Sequence, residues 1–261
     1  MPAIRQYTVD AFTDRVFGGN PAAVCLLDEW LDDKLLLNIA QENNLSETAF
    51  ICPRGDDFAL RWFTPTAEID LCGHATLAAA FTLHEVLDNP PKVINFHTKS
   101  GVLSVQKQGH LFLMDFPAFA LQAVDTAQIG KVLGIEPIEA YLGRDLLCVF
   151  DDENTVRTFI PDDDKIAKLD GLLLHITAKG RQFDCVSRSF APKCGVREDP
   201  VCGSGHCHIF PYWADKLGKS DLTGYQASAR GGVLHGTVAD GKVLLGGQAV
   251  LFAKSEIYLA E

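Results

Sequence analysis

At 261 residues the chain suffices for one large domain or two of about 130 residues. Apolar residues make up 47% and charged residues 22%, an ordinary globular composition, and the net charge of −11 argues against nucleic acid or an anionic membrane surface as partner. An anionic small molecule would therefore need a local pocket of donors, which helix N-termini can supply without Lys or Arg.

Ile4 to Phe12 alternates as a strand, and Gly18-Gly19-Asn20-Pro21 turns into the apolar run Ala22 to Leu27. Leu31 to Asn43 reads as an amphipathic helix, with Asp32 and Asp33 in its first turn and Leu35, Leu36, Ile39 and Ala40 on one face. Asn44 to Thr48 breaks it before two strands, Ala49 to Pro53 and Phe58 to Phe63. Ala75 to Leu87 is apolar nearly all round, as a helix buried in the middle of a lobe would be. Val93 to Phe116 reads as strands with a turn at Gln108-Gly109-His110, and a domain boundary is expected between Pro117 and about Gln128. The order then partly repeats: short strands and a helix to Leu169, strands over Gly171 to Ala178 and Phe183 to Phe190, then an aromatic-rich helix from His206 to Leu217. Pro211 is expected to kink or restart that helix. A β meander follows, with Asp240-Gly241 as a hairpin turn.

Two short stretches match each other. The first reads Phe63-Thr64-Pro65, Glu68, Cys72-Gly73-His74-Ala75; the second reads Phe190-Ala191-Pro192, Glu198, Cys202-Gly203-Ser204-Gly205. In both, a Glu stands four residues before a Cys-Gly pair that can open a helix. Gly73, Gly203 and Gly205 let backbone approach a ligand, and a helix starting there presents N–H groups to a carboxylate or phosphate. The same positive end lowers a thiol's pKa. A duplicated active-site half, with a substrate held between facing helix ends, is the simplest reading; two small buried cysteines are the plain alternative.

The eight cysteines form no C-x-x-C pair, the N-terminus lacks a signal pattern, and no apolar run reaches the ~18 residues of a membrane span. Free thiols and a cytoplasmic location are expected. Cys202 and His206 stand four apart with His208 nearby, but nothing completes a zinc-like set, so no metal is expected. His84, His97, His110, His175 and His235 read as structural or exposed.

Several segments together resemble the phenazine-biosynthesis PhzF-like family, which shares its fold with diaminopimelate epimerase. They are Asp10-Ala11-Phe12-Thr13, Gly19-Asn20-Pro21, Asn44 to Phe50, Phe63-Thr64-Pro65 with Leu71 to Thr76, and Glu198-Asp199-Pro200-Val201 with Gly203-Ser204, in family order over almost the full length. The resemblance implies an α+β protein of two similar lobes, each a barrel-like, mostly antiparallel sheet around a central helix. The lobes are expected at 1–117 and 118–251, with the last strand, about 252–261, joining the first. It implies an active site in the inter-lobe cleft, no cofactor (neither metal nor PLP), and often a homodimer. It also assigns proton transfer to Glu47, assisted by His74 and Asp199, with Asn20, Gly73, Ala75, Gly203, Ser204 and Gly205 as substrate-binding positions.

The resulting expectation is an isomerase that moves a proton on a small carboxylate. One feature departs from the family: many members carry Thr where this chain has Cys202. Cys72 and Cys202 fall where related epimerases place two catalytic thiols, so a two-thiol amino- or imino-acid racemase or epimerase is the second expectation. A carboxylate-binding protein without turnover is the third.

Overall fold

Residues 3–259 are described by a computed structural model, and the chain divides into two units, Met1–Asp115 with Gly246–Glu261 and Phe116–Leu245. The first unit opens with strands β1 (Ile4–Ala11) and β2 (Asn20–Leu26), helix α1 (Asp33–Asn43), strands β3 (Glu47–Arg54), β4 (Asp57–Phe63) and β5 (Glu68–Ile69), and helix α2 (Gly73–Val86). Strands β6 (Val93–Thr98), β7 (Gly101–Gln108) and β8 (Leu111–Pro117) follow. The α1 ends are encoded locally. Asp32 accepts from Leu35 N–H at the start, and Asn44 takes a left-handed φ of 49° at the stop. Leu36, Ile39 and Ala40, spaced for one helix face, are its buried residues.

The second unit contains β9 (Gln122–Ala123), α3 (Thr126–Leu133), β10 (Glu139–Leu142), β11 (Leu146–Val149), α4 (Glu153–Thr158), α5 (Asp163–Ile166), β12 (Leu174–Lys179) and β13 (Cys185–Ala191). After a short 3-10 turn come β14 (Val196–Asp199), α6 (Gly203–Leu217), β15 (Asp221–Gln226), β16 (Gly232–Ala239) and β17 (Lys242–Gly247). Asp240 and Gly241, both at positive φ (49° and 73°), turn β16 into β17. The final strand, β18 (Ala249–Ile257), pairs antiparallel with β1 from Ala11↔Ala249 to Ile4↔Ile257. The divisions therefore fall at 115/116 and 245/246, where the sequence reading set them at 117/118 and 251/252.

The sequence repeat is also a topological repeat. In the first unit β2 and β3 are parallel, β4 is antiparallel to β3 and carries the short β5, and β6 runs parallel to β4 and antiparallel to β7. In the second, β11 and β12 are parallel, β13 is antiparallel to β12 and carries the short β14, and β15 runs parallel to β13 and antiparallel to β16. Each parallel pair needs a crossover. The crossover is α1 in the first unit and α4 with α5 in the second; α2 and α6 serve the later pair. The sheets are thus mixed α+β sheets, with a parallel pair on each side of the motif-bearing strand.

Helix α2 packs on β1, β2, β3, β7 and β18, and almost every residue from His74 to Leu83 is buried. Its run Ala78-Ala79-Ala80 lets strands approach from several sides. Helix α6 packs on β12, β15 and β16. It starts at Gly203, three residues before the expected start, and passes Pro211 as one element. Proline lacks the N–H that would reach the carbonyl of Cys207. That carbonyl accepts from Phe119 N–H at 3.1 Å instead, so no restart is needed.

Candidate active site

The first Cys-Gly turn brings four of the expected residues together. Asn20 opens β2, directly after Gly19, whose φ of +62° and whose distance of 2.0 Å from a would-be Cβ to Ala11 O exclude any side chain. Glu47 opens β3, beside Ala22 of β2. Cys72 is the N-cap of α2, and His74 lies in its first turn. His74 Nε2 lies 3.0 Å from Glu47 Oε2; Asn20 Nδ2 lies 3.2 Å and Cys72 Sγ 3.5 Å from His74 Nδ1. The Glu47–His74 approach is close in distance but misdirected, so neither buried atom makes a hydrogen bond among the described residues. Gly73 and Ala75 flank His74, and α2 begins without a side-chain cap bond.

The second turn belongs to the second unit. Asp199 ends β14; its Oδ1 accepts from Val201 N–H at 3.1 Å. The buried Gln226 side chain spans the turn, donating to Asp199 O at 2.6 Å and accepting from Cys202 N–H at 2.9 Å. Cys202 caps α6 by accepting from Gly205 N–H at 3.3 Å. That contact occupies one of the three N–H groups expected to face an anion. A Cβ on Gly205 would also come within 2.7 Å of the His175 ring, so packing requires glycine there. Gly203 is buried, and Ser204 is half-buried with its hydroxyl 2.9 Å from Arg144 Nη2.

The electrostatics of the two turns differ. Burial opposes an imidazolium at His74, but the Glu47 carboxylate 3.0 Å away favours one and the pKa is raised. Burial, then the Glu47 charge, push the Cys72 thiol up; burial, then Asp199, push the Cys202 thiol well up, against opposing hydrogen bonds from Ser204 and Gly205. Both thiols stay protonated near neutral pH despite their helix N-termini, because desolvation exceeds the dipole.

Each copy of the motif starts two residues earlier than the sequence comparison placed it. Arg61 grips Glu68 with Nε–Oε1 at 2.7 Å and Nη2–Oε2 at 2.8 Å; Arg188 grips Glu198 at 2.7 and 2.9 Å. Each guanidinium also lies over the Phe two residues on, Arg61 at 5.1 Å from Phe63 and Arg188 at 5.0 Å from Phe190. Each reaches the crossover helix as well, Arg61 to Asp33 at 2.8 Å and Arg188 to Phe159 O at 2.6 Å. The fork ties the crossover, the central strand and the lead into Cys-Gly into one unit. The signal was an Arg at the same offset in both copies. Arg188→Met is expected to cost about 3 kcal/mol, since Glu198 would be left mostly buried without its counter-charge. A drop in the urea midpoint at unchanged m value measures it; an unchanged midpoint would make the fork dispensable.

Beneath α6 lies a polar cluster that the sequence reading missed. Asp145, His175 and His208 are buried, and their ligand-type atoms lie within 4.8 Å of one another. Asp145 Oδ2 lies 3.1 Å from His175 Nε2 and 2.7 Å from Arg144 Nη2. His175 Nδ1 lies 2.9 Å from Ser189 Oγ; His208 Nε2 accepts from Asp145 N–H at 3.4 Å, and Nδ1 faces Ser204 O at 3.3 Å. With both imidazoles engaged and a guanidinium already on the carboxylate, the arrangement is a hydrogen-bonded support for the turn. His206 is also engaged, with Nδ1 at 2.8 Å from Cys202 O and Nε2 at 3.3 Å from Ser187 Oγ.

Residues 9–255 match the family described as phenazine biosynthesis-like protein. A Pseudomonas aeruginosa protein described as an uncharacterized isomerase is 47% identical, over 97% of this chain and 98% of its own length. The crystal structure of a PhzF family phenazine biosynthesis protein from Enterococcus faecalis superposes with a TM-score of 0.96 at 46% identity, covering 99% of this chain and all of that one. A hydroxyproline epimerase from Agrobacterium vitis shares the fold alone, with a TM-score of 0.62 at 10% identity over 98% of this chain and 92% of its own.

Proposed function

The chain belongs to the phenazine biosynthesis-like family, and from that premise we propose that it is a cofactor-independent isomerase in which Glu47 transfers a proton on a small carboxylate substrate. The isomerase assignment rests on its similarity to proteins described as isomerases. The observation that supports the finer reading is the Glu47–His74 pair. Two buried polar atoms 3.0 Å apart lack a directed bond among the described residues, beside a helix start that has no side-chain cap. A carboxylate in that position can take a proton from carbon next to a conjugated acid and return it further along the same face. His74, held toward its charged form, stabilises the Glu47 carboxylate before the first step and after the second. Asp199 serves as the assisting carboxylate at the other motif, held by Val201 N–H and the Gln226 bridge.

A two-thiol racemase remains the second reading, because Cys72 and Cys202 occupy equivalent N-cap positions. The raised thiol pKa values weigh against it. Incubation in deuterated buffer with amino acids and conjugated cyclic carboxylates, read by mass spectrometry and NMR, separates the readings. Deuterium entering along a conjugated system is the expected result. Exchange confined to Cα with loss of chirality would assign the chemistry to the thiols, and binding without exchange would leave a non-catalytic receptor.

A further inference from the structure

Arg144 lies in the turn between β10 and β11, and its guanidinium is fixed on several sides. Nε lies 3.2 Å from both oxygens of Asp145, and Nη2 lies 2.7 Å from Oδ2. The group stands 5.0 Å over the Phe119 ring, and Phe119 in turn stacks on His208 with centroids 4.4 Å apart. Asp145 is equally constrained. It is fully buried, accepts from Leu173 N–H at 3.3 Å and faces His175, which is seated against Ser189. Such an Arg loses little conformational freedom on binding a ligand.

One edge of the guanidinium remains available. Among the described residues its hydrogen bonds run from Nε and Nη2, none from Nη1, and the side chain is 36% exposed. Nη2 also donates to Ser204 Oγ at 2.9 Å. Having accepted there, the Ser204 hydroxyl is polarised to donate its own proton. The nearest acceptor is the weak Cys202 Sγ at 3.5 Å. Two guanidinium N–H groups and one hydroxyl thus form a donor set beside the first residues of α6.

We propose that Arg144 is a specificity-determining residue that recognises the substrate's carboxylate through its Nη1 edge, with the Ser204 hydroxyl as second donor. The assignment rests on the reading of the protein as acting on a small carboxylate. The charge balance selects the ligand class. Asp145 already neutralises Arg144, and burial keeps His208 uncharged, its pKa pushed down to about 4. The site therefore offers directed donors with little net positive charge. That suits a monoanionic carboxylate and disfavours a phosphate dianion.

Equilibrium binding tests this apart from catalysis. The probes are benzoate, its uncharged counterpart benzamide, and inorganic phosphate, titrated calorimetrically into wild type, Arg144→Gln, Arg144→Lys and Glu47→Gln. Loss of a charge-assisted hydrogen bond should weaken benzoate about 10- to 100-fold in Arg144→Gln. Arg144→Lys, which keeps the charge and loses the fork, should fall between. Benzamide should be insensitive to either change, phosphate should bind more weakly than benzoate, and Glu47→Gln should retain benzoate. Because Arg144→Gln exposes the buried Asp145 charge to misfolding, the wild type carries a second test. Benzoate, and not benzamide, should protect Arg144 from phenylglyoxal, located by peptide mass spectrometry. Benzoate affinity within threefold of wild type in folded Arg144→Gln, or no protection of Arg144 at saturating benzoate, overturns the assignment. So does a wild type that binds no benzoate at millimolar concentration. A Glu47→Gln variant that still catalyses proton exchange would sink the role proposed for Glu47 while leaving this binding result standing.

Discussion

Glu47→Gln is expected to reduce proton transfer by about 10²- to 10⁴-fold while leaving the melting temperature close to wild type. The amide has nearly the same size and the same place at the head of β3, but it cannot take up the proton. It also removes the carboxylate charge that favours an imidazolium at His74, so the His74 pKa should move down, which NMR titration of the ring can follow. Cys72→Ser and Cys202→Ser should retain most activity, because the thiols they replace are buried and protonated. A Cys202→Ser loss beyond tenfold, with Glu47→Gln near wild type, would reverse the assignment of roles. Rates of deuterium wash-in provide the measurement for all three variants.

Folding stability should fall steeply as the pH drops from about 6.5 to about 4. Burial pushes the His206 and His208 imidazoles down to about 4 from the usual 6.5. As the pH falls through this window, the unfolded chain binds protons that the folded chain refuses. Their stabilisation is therefore complete above 6.5 and lost toward 4. Each imidazole accounts for about 3 kcal/mol over the window, at roughly 1.4 kcal/mol per pKa unit. His74 has the opposite sign. Its raised pKa adds stability that is fully present below 6.5, so it does not offset the loss. Asp145, whose carboxyl is held below the ordinary range by His175 and Arg144 against the cost of burial, loses its contribution only below about 4. Urea midpoints measured at half-unit steps test this. A flat profile from pH 7 to 5 would mean that the two rings are not held neutral, and His206→Gln should flatten the slope by about half.

Much of the candidate site was legible in the chain because it is carried by short contiguous segments. Cys72-Gly73-His74 and Cys202-Gly203-Ser204 open helices two and three residues ahead of the runs Ala75 to Leu87 and His206 to Leu217, as a Cys-Gly start allows, and Asn20 and Glu47 stand at strand starts next to breaks. The Arg61–Glu68 and Arg188–Glu198 forks depend on how β5 and β14 fold back on their neighbours. Where β14 pairs with β13, the register shifts between Ser189 and Ala191, an irregularity that no local pattern reveals. Asp145, His175 and His208 come from a turn, a strand and a helix that only the tertiary fold assembles. Reading His175 as structural or exposed, and His208 as a neighbour of Cys202 and His206, followed the sequence neighbourhood and missed the spatial one. Pro211 shows the same limit from the backbone side. The residue breaks a helix on its own terms, and a donor 92 positions upstream, Phe119 N–H, takes over the carbonyl it leaves unpaired.

Seven of the eight thiols are buried, and Cys194 alone is exposed. That distribution makes the molecule its own clock for opening. A thiol reagent places one label at once, and every later label records a breathing event large enough to bare a shielded sulfur. Cys25, Cys52 and Cys72 report from one unit and Cys148, Cys185, Cys202 and Cys207 from the other. The order in which tagged peptides accumulate thus gives the sequence in which the two halves come undone, with no engineered reporter.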